Sequence, residues 1–262
     1  MPPANREGPS GSTAPGHGAM PAAVGILVEG LAFAAGGRTI LAGLDLRVEP
    51  GETMAMVGRS GSGKTSLIRI LAGLAAPSAG RAGGTDGRPL AGRAAWMGQQ
   101  DLLFPWLSAL DNVAVGARLR GEPAERARAL DLLARVGLAD RRDALPAALS
   151  GGMRQRVAIA RTLYEDRPVV LMDEPFSALD AITRARIQDL AAELLADRTV
   201  LLITHDPQEA CRIADRLVVL GGTPARASAP IPVPGSPPRA PDDPRVLAAQ
   251  GRLLSDLLGD AA

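Results

Sequence analysis

Gly58-Arg59-Ser60-Gly61-Ser62-Gly63-Lys64-Thr65 is the stretch of this 262-residue chain best suited to hold phosphate. It follows the spacing GxxxxGK with a hydroxyl residue next. Glycines there let backbone N–H groups turn inward around an anion, and the lysine meets the β- and γ-phosphates of a nucleotide. Thr65 would bind Mg²⁺ through its hydroxyl, and Ser60, Ser62 and Ser66 complete the polar lining for ATP. The lysine is singular: of 29 basic residues, every other one is arginine. A GC-rich coding bias explains the arginine excess, and it makes the exception informative. A compact ammonium and a planar guanidinium are not interchangeable in a tight phosphate pocket. Downstream, the apolar run Val169-Val170-Leu171-Met172 ends in Asp173-Glu174. A buried strand does not end in paired carboxylates without a counter-charge. Asp173 would hold Mg²⁺ through water, and Glu174, pointing elsewhere, would polarise an attacking water as general base.

These residues need a parallel sheet to position them. ILVEGLAF and TILAGLDLRVE read as strands joined by turn signals, and ETMAMVG as a strand running into the glycine-rich turn. TSLIRILAGL follows as an apolar-periodic helix, so the phosphate pattern lies between strand and helix, where a helix N-terminus adds a favourable partial charge. Residues 109 to 137 look helical, with Gly and Pro at the joints. GGMRQRVAIARTLY and ITRARIQDLAAELLA are further helices, and PVVLMDE and TVLLITHD are buried strands. ACRIADRL reads as helix and carries the one cysteine, Cys211, as a packed thiol. The fold class expected is α/β: a P-loop NTPase (RecA-like) parallel-sheet core, an N-terminal antiparallel part, and an inserted helical subdomain over about 100–160.

Composition sets the outer limits. Apolar residues make up 46% of the chain, enough for a substantial core, and the net charge of +1 argues against a nucleic-acid surface. No segment has the uninterrupted apolar length of a membrane span, and no secretory pattern opens the chain. Residues 1 to 22, rich in Pro, Gly, Ser and Ala, read as a disordered tail in which Met20 could be the true start. The folded block runs over 23–222. Residues 223–262 form a Pro-rich, extended C-terminal segment closed by a short helix at roughly 245 to 259.

Phosphate loop and acids alone fit a small-molecule kinase equally well. Leu149-Ser150-Gly151-Gly152-Met153-Arg154-Gln155-Arg156 narrows the class, because it resembles the LSGGQ signature of ABC-transporter ATPases. Ser150, Gly151 and Gly152 open a helix and would form a second anion site. The resemblance covers about 24 to 222. It implies a head-to-tail dimer in which one copy's signature closes over ATP held by the other. It also implies that Gln99 senses Mg²⁺ and the γ-phosphate, that Asp180 of Ser177-Ala178-Leu179-Asp180 lies at the dimer interface by the nucleotide, and that His205 contacts the γ-phosphate. Met153 stands where the family usually has Gln, and together with LLxPW and DEPFSALDAITR it resembles the nitrate/sulfonate/taurine import branch. Within that branch the chain most resembles ATPases of hydroxymethylpyrimidine (thiamine-precursor) uptake. The resemblance implies separate permease subunits, a periplasmic substrate-binding protein, and a peripheral position on the cytoplasmic face of the inner membrane. A soluble ABC ATPase acting on DNA or ribosomes usually has tandem cassettes or a long coiled coil, and neither is visible here. A kinase leaves LSGGMRQR and SALD unexplained.

Two features stand apart. Where the family usually stacks an aromatic side chain on adenine, this chain has Ala35. Phe33 lies two residues earlier, roughly 6–7 Å away by strand rise, and reaches only if the loop shifts. Three of the six aromatic residues fall within WMGQQDLLFPW. Trp96 and Met97 are expected in the core. Leu102, Leu103, Phe104 and Trp106 occupy the region in which the family docks its permease, and exposure of Phe104 or Trp106 is expected if docking is their role.

Overall fold

The computed structural model describes residues 24–259; the N-terminal tail expected from the sequence lies outside them. Two sheets share one side of the molecule. The antiparallel sheet has the order β2-β1-β4, with β1 at Ile26–Ala35, β2 at Arg38–Val48 and β4 at Ala79–Gly84. The larger sheet carries β3 (Thr53–Val57), β7 (Thr199–Thr204), β6 (Val169–Asp173) and β5 (Ala94–Met97) as parallel neighbours. β8 (Arg216–Gly221) runs parallel on the other side of β3.

The parallel strands are apolar throughout because both faces are covered. Alternation sorts their side chains into two cores. Ala55, Val57, Val170, Met172, Val200 and Leu202 join one core with the helices. Met54, Met56, Val169, Leu171, Leu201 and Ile203 join the other, with the antiparallel sheet and α1 (Lys64–Leu71). The first core also contains helices α2 (Ala109–Val113), α4 (Arg126–Arg135) and α5 (Gly151–Tyr164); α3 (Val115–Leu119) lies between α2 and α4. The middle stretch that reads as helical with Gly and Pro at its joints is three short helices, separated near Ala114 and over 120–125, where Gly121 and Pro123 lie. The parallel-sheet core with an antiparallel N-terminal part is as the sequence indicates.

The C-terminal segment ends in the short helix expected, but the Pro-rich stretch before it is built into the sheet. β10 (Ile231–Pro232) pairs antiparallel with β8 over Leu217 and Arg216, and β9 (Arg226–Ala227) pairs with its other end. They cover an edge that would otherwise expose unpaired backbone. Arg239 drives the return. It is 3% exposed and donates to carbonyl oxygens of Val233, Pro234 and Gly235 on its own segment and of Cys211 and Ala214 at the end of α7 (Pro207–Ile213). A cation over the last carbonyls of a helix also opposes the helix dipole. α8 (Pro244–Gly259) then packs Val246, Ala249 and Leu253 into the first core. ACRIADRL is only half helical: α7 stops at Ile213, and Arg216 already belongs to β8. Cys211 is buried as expected, and burial pushes its thiol up to about 11, so it is an inert packing group.

Candidate active site

The C-terminal ends of β3, β7, β6 and β5 lie side by side, and each delivers one chemical element. In an open parallel sheet this edge is where ligands bind. β3 runs into the phosphate loop and α1. Gly61 and Gly63 have φ of 80° and 95°, conformations that L side chains rarely adopt, and a Cβ at Gly58 would come within 2.4 Å of the Leu220 carbonyl oxygen. Lys64 is buried, and its ammonium donates to the Gly58 and Arg59 carbonyls at 2.7 and 2.8 Å. Burial lowers its pKa, against the charges of Glu174 and Asp173. Ser60, Ser62 and Gly61 line a cleft of about 630 Å³ with Arg38, Gly222 and Leu257.

Alternation along β6 puts Asp173 on the face of Val169 and Leu171, against α1, and its Oδ2 accepts from Thr65 Oγ1 at 2.7 Å. The carboxyl is 3% exposed, and burial raises its pKa, with Glu174 adding to the rise. A buried acid beside one hydroxyl lacks a full counter-charge. Among the described residues no three His, Cys, Asp or Glu side chains cluster to hold an ion by themselves. That donor set fits Mg²⁺, which keeps waters and takes ligands from substrate phosphates.

Glu174 turns the other way, into a left-handed backbone conformation (φ 50°), costly for a non-glycine residue. Both of its backbone polar groups are held. Its N–H donates to Ile203 O at 2.8 Å, and its carbonyl accepts from Gln155 Nε2 at 3.1 Å and Ser177 Oγ at 3.1 Å. Its carboxylate faces two sequence-predicted partners: Gln99 Nε2 at 3.4 Å from the end of β5, and His205 Nδ1 at 3.2 Å from the end of β7. The structure thus gathers Lys64, Thr65, Asp173, Glu174, Gln99 and His205 at one sheet edge. Ser66 continues α1 just behind them.

Two groups are placed elsewhere. Ser150 caps α5 by accepting from Met153 N, and Asp180 caps α6 (Ala181–Leu194) by accepting from Thr183 N. Gly151 lines a separate groove with Gln99, Asp101 and Ser177. Gly152 is explained within the chain, since a Cβ there would meet the Ala178 carbonyl oxygen at 3.1 Å. Gly151 is not, since its nearest neighbour would be Arg154 at 3.9 Å.

Gln155 escaped the sequence reading. It lies 5% exposed and joins the Glu174 carbonyl to the Ala178 N–H, the latter at 2.7 Å. The available signal was a glutamine in register with Ala158, Ile159 and Thr162 on the buried face of α5. Arg161 and Asn112 were missed too. Arg161 donates to the Asp101 and Leu102 carbonyls, and Asn112 bonds both backbone groups of Phe104, so the segment after Gln99 is fixed by the helices. Trp106 is 71% exposed and meets Phe104 edge-on at 5.5 Å; Leu102 is also exposed, while Leu103 packs on the first core. Met97 is buried and Trp96 packs against the second core, as expected.

The ABC transporter family profile matches residues 41–177, just over half of the chain. This chain belongs to that family. Among curated relatives, the aliphatic sulfonates import ATP-binding protein of Rhodococcus jostii is 44% identical over 90% of this chain and 94% of its own length. The protein of that description from Pseudomonas syringae is 42% identical over 88% and 94%. An uncharacterized ABC transporter ATP-binding protein of Haemophilus influenzae is 41% identical over 90% and 99%. Among solved structures, an ATP-binding cassette dimer in a post-hydrolysis state bound to ADP and Pi superposes with a TM-score of 0.71 at 29% identity, over 80% of this chain and 99% of that one.

Ala35 lines a cleft with Thr39, Ile40, Gly61 and Pro224, and Phe33 packs on the second core. Ala35→Tyr is expected to tighten ATP binding by about 1–3 kcal/mol, the worth of a base-stacking ring, and to tighten GTP comparably. Titration with fluorescent analogues of both nucleotides tests this, and unchanged affinities would mean that the base lies elsewhere.

Proposed function

We propose that this chain is the ATP-hydrolysing subunit of an importer for aliphatic sulfonates, acting as a head-to-tail pair of copies beneath separate permease subunits on the cytoplasmic face of the membrane. A periplasmic binding protein would deliver the cargo. The observation that carries this is the 44% identity, over nine-tenths of the chain, to a protein named for sulfonate import. Two of the relatives named above carry sulfonate import in their names and none carries a pyrimidine, so the sulfonate cargo is preferred to the thiamine-precursor one. Among the described residues no helix is long and apolar enough to cross a membrane, which fits a peripheral subunit.

In this proposal the phosphates of ATP rest on the N–H groups of residues 60–65. Lys64 exchanges the Gly58 and Arg59 carbonyls for phosphate oxygens. Thr65 and Asp173 hold Mg²⁺, which when bound offsets phosphate charge. Glu174 takes the proton of the attacking water. His205 and Gln99, already against its carboxylate, orient that carboxylate and the γ-phosphate. The partner copy brings its own Ser150–Gly152 helix N-terminus over the phosphates, which explains why Gly151 keeps open space in the free chain. The fixed Gln99–Trp106 segment links γ-phosphate sensor to permease, with exposed Trp106 and Leu102, and Phe104 beside them, as the docking surface.

Uptake of a labelled alkanesulfonate by cells expressing the transporter, with this chain or its Glu174→Gln form, tests the function. Equal uptake would overturn it. The double change Phe104→Ala, Trp106→Ala is expected to leave the ATPase of the isolated chain near wild type and to lower uptake about tenfold, as loss of hot-spot aromatics does. Unimpaired uptake would remove these rings from docking.

A further inference from the structure

Beside His205 and Glu174 lies a second polar set, with Thr204 and Glu209 buried and Arg184 half-buried. A cavity of about 40 Å³ is lined by Glu174, Ser177, Arg184, Thr204, His205 and Glu209, with Asp206 at its edge. Two of these residues hold a buried atom without a hydrogen-bond partner: Arg184 through Nε and Glu209 through Oε1. Glu209 is 5% exposed, and its Oε2 accepts from Gln188 Nε2 at 3.3 Å. Arg184, on α6, donates to the Leu179 carbonyl at 2.9 Å and lies 3.5 Å from Asp206 Oδ2. Asp206 caps α7 by accepting from the N–H groups of Gln208 and Glu209. A continuous polar path thus runs from Leu179, five residues after Glu174, through Arg184 to the turn that presents His205. Unmet buried polar atoms cost stability, and the cavity is large enough for a water that would satisfy both.

We propose that Arg184 and Glu209 are a positioning pair, bridged through this cavity, that ties the His205 turn to the Ser177–Asp180 segment and so sets His205 against Glu174. The pair rests on the ATPase reading above only for its purpose, not for its existence. Neither residue reaches the phosphate loop; both act through His205. Burial pushes the Glu209 carboxyl up to about 7; Asp206 adds to the rise, while the neighbouring polar groups of Thr204 and Gln188 and the charge of Arg184 oppose it. The surrounding charges are Arg184 on α6, Asp189 on α6 holding Arg212 of α7, Asp206 and His205 in the turn, and Glu174 after β6. Glu209 is therefore neutral in mildly acidic solution and faces Arg184 as a carboxylate in mildly alkaline solution. The state of the bridge changes across neutrality.

The test is Glu209→Gln, which imitates the neutral acid at every pH. The chain has two histidines, His17 and His205, so the His205 ring signals are assigned in NMR spectra with a single His17 variant. At about pH 5.5 the His205 signals of wild type and Glu209→Gln should coincide, and at about pH 8 they should separate, because only the wild type then carries the charge. Turnover should follow the same pattern: equal at the lower pH and at least twofold apart at the higher. Arg184→Met should displace the His205 signals at both pH values, with Arg184→Lys restoring them in part. Coincidence of the two proteins at both pH values, or an equal difference at both, would overturn the pair, as would an unmoved signal in Arg184→Met. A wild-type chain without ATP turnover would overturn the ATPase reading, while the NMR comparison would still decide the pair.

Discussion

Glu174→Gln is expected to lower ATP turnover by about 10²–10⁴-fold, the usual worth of a positioned base, while ATP binding is retained. The expectation rests on how the residue is held. The backbone at Glu174 is fixed in its left-handed conformation by Ile203, Gln155 and Ser177, none of which touches the carboxylate. An amide of the same shape would keep that backbone and could still face Gln99 and His205. What it cannot do is accept the proton of water. The nucleotide contacts proposed for Lys64 and the loop N–H groups involve other residues. A chain that binds ATP without hydrolysing it should accumulate as a closed dimer, visible by light scattering with ATP and Mg²⁺ and absent with ADP. Near-wild-type turnover would move the base to another group, and His205, whose Nδ1 lies 3.2 Å from that carboxylate, would be the next to test.

The legible and illegible parts of the site differ in how local their causes are. Lys64, Thr65, Asp173 and Glu174 were readable because each sits within a few residues of the strand end that delivers it, and strand alternation fixes which way it points. Gln155 and Arg161 were not, because their partners lie about 20 and 60 positions away and only packing of α5 beside β6 and β5 brings them close. In the fold, the central strands announced themselves as apolar runs. AGRAGG has no side-chain pattern, and β4 forms because β1 offers an edge to pair with. Arg216 and Leu217 were read with the preceding helix and VVLG after them was given no element, since a short apolar run does not distinguish strand from helix by period alone. The C-terminal segment misled through its prolines. Its closing helix forms where it was read, but the stretch before it is drawn back by pairing with β8 and by one arginine gathering carbonyls from both sides of the contact, an arrangement that composition does not reveal.

Two inactive variants, mixed, are expected to regain activity. Gly151→Asp removes the partner-facing helix N-terminus as an anion site. It suits the experiment because a Cβ there meets nothing nearer than Arg154 at 3.9 Å, and a carboxylate in the first turn of a helix is favourable. Gly152 would not serve, since its Cβ would crowd Ala178 and confuse folding with function. Lys64→Ala removes the ammonium that meets phosphate in the same copy. Each change alone is expected to cost about 10²–10³-fold in turnover, as loss of one preorganised charge or donor does. In a head-to-tail pair each ATP lies between the phosphate loop of one copy and the signature of the other. A mixed dimer therefore has one site with both defects and one with neither. Random pairing makes about half of the dimers mixed, and half of their sites intact, so turnover should recover to about a quarter of wild type if the sites work independently. Within a single chain both elements would belong to one site, and mixing would restore nothing. Turnover against mixing ratio, with equal total protein, separates the two arrangements: a maximum at equal proportions places the signature in trans, and a flat line places it in cis.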